Sequence, residues 1–75
     1  MRKFNWVKVS GKPDYIASTG GGVLWAFRHR VSGRSGAWKV CRPFDGEDPD
    51  YLSYGRTRDE AATNFLAGIV ETPSD

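Results

Sequence analysis

A chain of 75 residues forms one domain and buries only roughly 60% of its unfolded surface, which excludes a large internal substrate cavity. The net charge of +2 hides a division: residues 1–42 carry nine cations against Asp14 alone, a balance of +8, while residues 43–75 carry Arg56 and Arg58 against eight acids, a balance of −6. The lone Cys41 excludes an internal disulfide and a cysteine metal cluster and suits a reducing, cytoplasmic compartment; no apolar run is long enough for a signal-peptide core or a membrane span.

Residues 4–9, Phe4-Asn5-Trp6-Val7-Lys8-Val9, hold β-branched and aromatic side chains at strand density. They run into Ser10-Gly11-Lys12-Pro13-Asp14, a turn-rich break. Residues 15–18 predict a second, short strand, closed by Thr19-Gly20-Gly21-Gly22, where glycine offers the positive φ of a tight reversal. This glycine run is not a phosphate loop, because such a loop ends in Gly-Lys-Ser/Thr and opens a helix, whereas here Val23-Leu24-Trp25 follows. Residues 23–31 alternate, with Trp25, Phe27, His29 and Val31 on one side and Ala26, Arg28 and Arg30 on the other. After the loop Ser32-Gly33-Arg34-Ser35-Gly36, residues 37–42 return with Trp38 and Val40 on one side and Lys39 on the other, completing a central hairpin.

Pro43 removes a ladder donor and ends that strand. The acidic loop beyond it carries Asp45, Glu47, Asp48 and Asp50, which lack the Asp-x-Asp-x-Asp-Gly-x5-Glu order of a calcium loop, so a solvated loop and no metal site are expected. Tyr51 to Gly55 reads as a short extended segment, with Leu52 and Tyr54 packing under the start of the following helix.

That helix spans about 58–70. Thr57 followed by Glu60 three residues later forms a capping box, with the hydroxyl accepting from the residue 60 amide and the carboxylate reaching back to the amide of residue 57. Ala61, Phe65 and Ile69 form one row and Ala62, Leu66 and Val70 another, together a single apolar stripe. Asp59 and Glu60 suit the positive end of the helix dipole, and Pro73 stops continuation. So short a helix is marginal alone, so the sheet must supply its partner.

The predicted fold is therefore α+β, a three- to four-stranded antiparallel meander sheet with one C-terminal helix packed on one face, in a single domain over 1–75. Trp25, Phe27, Trp38 and Val40 are expected against Ala62, Phe65, Leu66 and Ile69. Arg28, Arg30 and Lys39 then share the open face as a basic patch, with Lys8 and Arg42 nearby.

Catalytic constellations are missing from the pattern. His29 is the only histidine, and strand alternation is expected to place it with Trp25, on the side opposite Cys41 and Lys39. The acids cluster in a loop and at helix ends, where burial does not split a pair of pKa values. Cys41 on a strand reads as a small buried hydrophobe. No enzyme activity, catalytic residue, cofactor or small-molecule substrate is expected.

The order of strands, aromatic hairpin and Thr-x-x-Glu-Ala helix, carried by Trp25-Ala26-Phe27-Arg28, Ala37-Trp38-Lys39-Val40 and Arg56-Thr57-Arg58-Asp59-Glu60-Ala61-Ala62, resembles the small arm-type DNA-binding domains of tyrosine integrases and the Apetala-type domains. The resemblance covers about half the chain and departs from those families in the extra N-terminal strand and the acidic loop. It implies a sheet that enters the DNA major groove. The expected function is DNA binding by Arg28, Arg30, Lys39, Lys8 and Arg42. The alternative is a protein-interaction module, either a phage-type effector docking on a host protein or a homodimer pairing basic sheet with acidic loop.

Overall fold

A computed structural model of the chain describes residues 3–28, 36–43, 49 and 51–72. Among these residues five antiparallel strands lie side by side in chain order: β1 (Val7–Lys8), β2 (Tyr15–Thr19), β3 (Gly22–Phe27), β4 (Trp38–Cys41) and β5 (Ser53–Gly55). The helix α1 (Arg58–Leu66) packs on one face. The architecture is the expected α+β meander, with β5 adding a strand beyond the three or four anticipated. No helix among the described residues is long and apolar enough to cross a membrane.

Register decides which side chains share a face. Tyr15 pairs with Ala26 and Ala26 with Val40; Ile16 pairs with Trp25 and Trp25 with Cys41; Phe27 pairs with Lys39 and Lys39 with Tyr54. Directly opposed residues point to the same side, so Ala26 and Val40 lie on the helix side while Trp25, Phe27, Lys39 and Cys41 lie on the other. On the helix side, Leu24, Ala26 and Val40 are buried against Ala61 and Ala62, flanked by Phe4, Trp6, Tyr15, Trp38 and Phe65. On the far side, Phe27, Cys41, Leu52 and Tyr54 form a second buried cluster, with Trp25 and Ala37 against it.

This corrects the expected single core. Trp25 and Phe27 are on the face away from α1, as are Leu52 and Tyr54, while Leu66 and Ile69 are 38% and 62% exposed. The physical reason is the closeness of the helix. Two alanines, Ala61 and Ala62, meet the sheet, and beneath them small or slender residues fit where indole and phenyl rings would hold the helix off. The register also pairs Trp25 with Cys41 on one side, reversing the expected separation of that row from Cys41. His29 itself, Arg30 and the acids at 45, 47, 48 and 50 lie outside the described residues.

Several boundaries move for identifiable reasons. The first strand is shorter than 4–9 because the chain before Val7 is held by the helix: the Phe4 amide and the Trp6 indole both donate to Asp59 Oδ1, at 3.2 and 2.9 Å. Thr19 and Gly22 pair across Gly20-Gly21, with the positive φ at Gly22 (123°). The helix starts where expected, the Glu60 amide donating to Thr57 Oγ1 at 3.1 Å, but Glu60 Oε1 accepts from the Arg56 amide at 3.3 Å, one residue before the expected donor.

α1 ends at Leu66, short of 70. The Gly68 amide donates to the Phe65 carbonyl and the Ile69 amide to the Asn64 carbonyl, with Gly68 at φ 80°, the bond pattern of a Schellman stop. The released tail returns to the sheet, where Leu52 and Glu71 exchange both backbone bonds at 2.9 and 2.8 Å. Ser53 Oγ donates to the Ile69 carbonyl and Asn64 Nδ2 to the Tyr54 carbonyl, so the β5 edge is covered rather than left as a free template.

Candidate functional site

Among the described residues the expected basic patch on the open sheet face does not form; Arg30 lies outside them. Lys39 is fully buried, and its Nζ donates to the Arg28 carbonyl at 2.6 Å. Its pKa is lowered, first by burial and then by the Arg28 charge. Arg28, two residues beyond Ala26 on the same strand, falls on the helix side, where its guanidinium lies 5.3 Å from the Trp38 ring centroid. Lys8 is exposed and pairs with Tyr15, again on the helix side. Arg42 is exposed at the other end of β4, its guanidinium 5.6 Å from the Phe65 ring and Nη1 donating to the Val23 carbonyl at 3.5 Å.

A different constellation stands in its place. Arg58, the first residue of α1, extends across two rings: its guanidinium is 4.1 Å from the Tyr15 centroid and 5.3 Å from that of Trp38. The two rings meet edge to face at 5.9 Å, and Arg28 covers Trp38 as well. Tyr15 and Trp38 are half-buried and Arg28 is exposed. Two guanidiniums thus lie over one aromatic pair, within cation–π reach of its rings. Arg28 Nη2 also donates to the Gly36 carbonyl at 3.3 Å.

The electrostatics of this arrangement are unfavourable by themselves. Arg58 occupies the first turn of α1, where the helix dipole disfavours a cation, and it shares Trp38 with a second cation. Asp59, its neighbour in sequence, has its Oδ1 engaged by Phe4 and Trp6. Among the described residues neither Arg28 nor Arg58 is held in an ion pair; their contacts are rings and one carbonyl. An anion placed between them would relieve both the repulsion and the dipole.

The sequence pattern named Arg28 and Lys8 but not Arg58, Tyr15 or Trp38 as site residues. The available signal was Arg58 itself, a cation at a helix start otherwise marked by Asp59 and Glu60. The rest depends on the register that brings Tyr15 and Trp38 under it. Among the described residues the far face offers no comparable chemistry: Cys41 is buried and its thiol is pushed up to about 12, first by burial and then by the Asp14 charge, while Asp14 Oδ2 accepts from the Trp25 indole at 3.1 Å. No group of three or more histidine, cysteine or acidic residues among the described residues is arranged to hold a metal ion. Comparison with protein-family models, curated proteins and solved structures finds no match to this chain.

Proposed function

We propose that the chain is a non-enzymatic binding module for nucleic acid, and that its contact surface is the helix-side cluster of Arg28, Trp38, Arg58 and Tyr15, with Lys8 at its margin. The observation that carries this reading is the pair of guanidiniums lying 5.3 Å from the centroid of one ring without an ion-pair partner among the described residues. Ring-stacked arginines lose little freedom on binding and present planar forks that match phosphate oxygens. The resemblance in pattern to arm-type domains points to the same ligand class, although the surface differs from the sheet face that resemblance implies. The test is fluorescence anisotropy of labelled duplex and single-stranded DNA at low salt. Wild-type protein binds and a variant carrying both R28E and R58E does not, with its thermal melt retained. Absence of binding by folded wild-type protein removes this reading.

A second reading rests on a separate observation. On the far face Val7 and Val23 are 61% and 39% exposed, beside the half-buried Ile16 and Trp25 of the register row Val7–Ile16–Trp25. Exposed apolar rows of this kind favour a protein partner or a second copy. A mass that rises with concentration, and falls back in V7K, supports it; a monomer at all concentrations with no captured partner opposes it.

A further inference from the structure

The nucleic-acid reading above leaves open what part of the ligand is gripped and over what length. Two geometric facts bear on this. First, Arg58 lies over the half-buried Tyr15 ring and both Arg58 and Arg28 lie over the half-buried Trp38 ring, so an incoming base competes with a guanidinium for these rings. Second, Arg58 and Phe65 are seven residues apart on α1, which places them on the same flank, two turns and about 10 Å apart. At Arg58 stand Arg28 and Lys8; at Phe65 stands Arg42, with its guanidinium over the ring and against the β2–β3 turn, where a Cβ on Gly22 would come within 2.7 Å of Nη1. Next to Arg58, Asp59 pins the segment of Phe4 and Trp6, which carries the exposed Lys3.

Resting on that reading, we propose that this flank of α1 is a track for a phosphodiester backbone, entered at Arg28 and Arg58 and left at Arg42, and that it is blind to the bases. Tyr15, Trp38 and Phe65 act as shelves that hold guanidiniums rather than as stacking platforms. A single phosphate group reaches one end of the track only, so the ligand is a polymer. Sequence carries no weight, because phosphate contacts position a ligand without reading it.

The experiment is a competition titration against one labelled single strand of about 8 nucleotides, a length within the usual site size of a single-strand-binding fold. The competitors are the same strand unlabelled, an abasic strand of equal length, a dinucleotide and inorganic polyphosphate. The expected result is that the abasic strand competes within about threefold of the normal one, whereas loss of a stacked base costs about tenfold or more where stacking contributes. The dinucleotide competes far more weakly than either. Polyphosphate competing as well as the abasic strand shows that charge alone suffices; competing poorly, it shows that phosphodiester spacing matters. Either result supports the track.

R42E is expected to weaken binding and to reduce the salt slope by about 0.7 for a single strand. R42Q, a milder change beside the glycine turn, is expected to move both in the same direction. Binding that fails on the abasic strand, or that ignores both Arg42 variants, overturns the proposal while leaving the binding module in place. No binding of any strand by folded protein overturns both.

Discussion

Gly55 lies directly beneath Ala61, so close that a Cβ on Gly55 would collide with the Ala61 amide nitrogen and come within 3.0 Å of Ala61 Cα. The last residue of β5 and the first turn of α1 are in backbone contact, which lets Ala61 and Ala62 reach the sheet and fixes where Arg58 projects. Gly55→Ala must push the helix away, because backbone cannot yield as a flexible side chain does. Overpacking of this kind costs about 1–3 kcal/mol. A urea titration should show unfolding free energy lowered by that amount and the midpoint lowered with it, and an unchanged midpoint would show that the strand and helix are not in contact.

The cap offers a smaller, separable change. Thr57 sits in extended conformation and its hydroxyl accepts from the Glu60 amide. Thr57→Ala is expected to cost about 1 kcal/mol and Thr57→Asn close to nothing, read from denaturant titrations followed by circular dichroism. Equal losses in the two variants would point to a packing role for the threonine methyl instead.

The sequence made the elements legible where local chemistry decides them: the turn at Thr19 to Gly22, the start of α1 at Thr57, and the helix–sheet class. It misled where a long-range choice overrode local bulk. Trp25 and Phe27 look like the core face of β3, yet register puts Leu24 and Ala26 under the helix because Ala61 and Ala62 approach too closely for rings. Ile69 and Val70 continue an apolar stripe in sequence, but Gly68 takes a positive φ and ends the helix before them. Lys39 reads as a solvent-facing strand residue, and only the pairing of Phe27, Lys39 and Tyr54 shows it enclosed. The candidate site depended on the same register and was therefore legible only in part.

Cys41 gives a pH-dependent signature. Its thiol is raised from 9.0 to about 12 in the fold, so the folded chain keeps a proton that the unfolded chain releases. The resulting stability is fully present below pH 9 and is lost as pH rises toward 12. The stability difference between wild type and Cys41→Ala should therefore shrink above pH 9 and stay constant below it. In the native state near pH 8 a thiol reagent should label Cys41 only as fast as the chain opens. Immediate labelling would contradict its burial.

Lys39 has the opposite sign. Its lowered pKa means that the folded chain releases a proton before the unfolded one, so its contribution to stability grows as pH approaches 10.5 and is lost as pH falls through the folded value. Lys39→Met should flatten that rise. It also removes the bond to the Arg28 carbonyl, and weaker nucleic-acid binding by a folded Lys39→Met protein would show that the bond steadies Arg28. Unchanged affinity would confine Lys39 to the core.

The most direct test of the helix-side surface is the salt dependence of DNA affinity, measured for wild type, R28E, R58E and R42E in parallel. For duplex DNA the logarithm of affinity should fall by about 0.9 per contacted phosphate for each unit of log salt, giving a wild-type slope of about −2 to −3. Each variant should bind more weakly and with a slope shallower by about 0.9, with all melts retained. A wild-type slope near zero, or slopes and affinities that none of the three substitutions moves, would contradict the assignment of this surface.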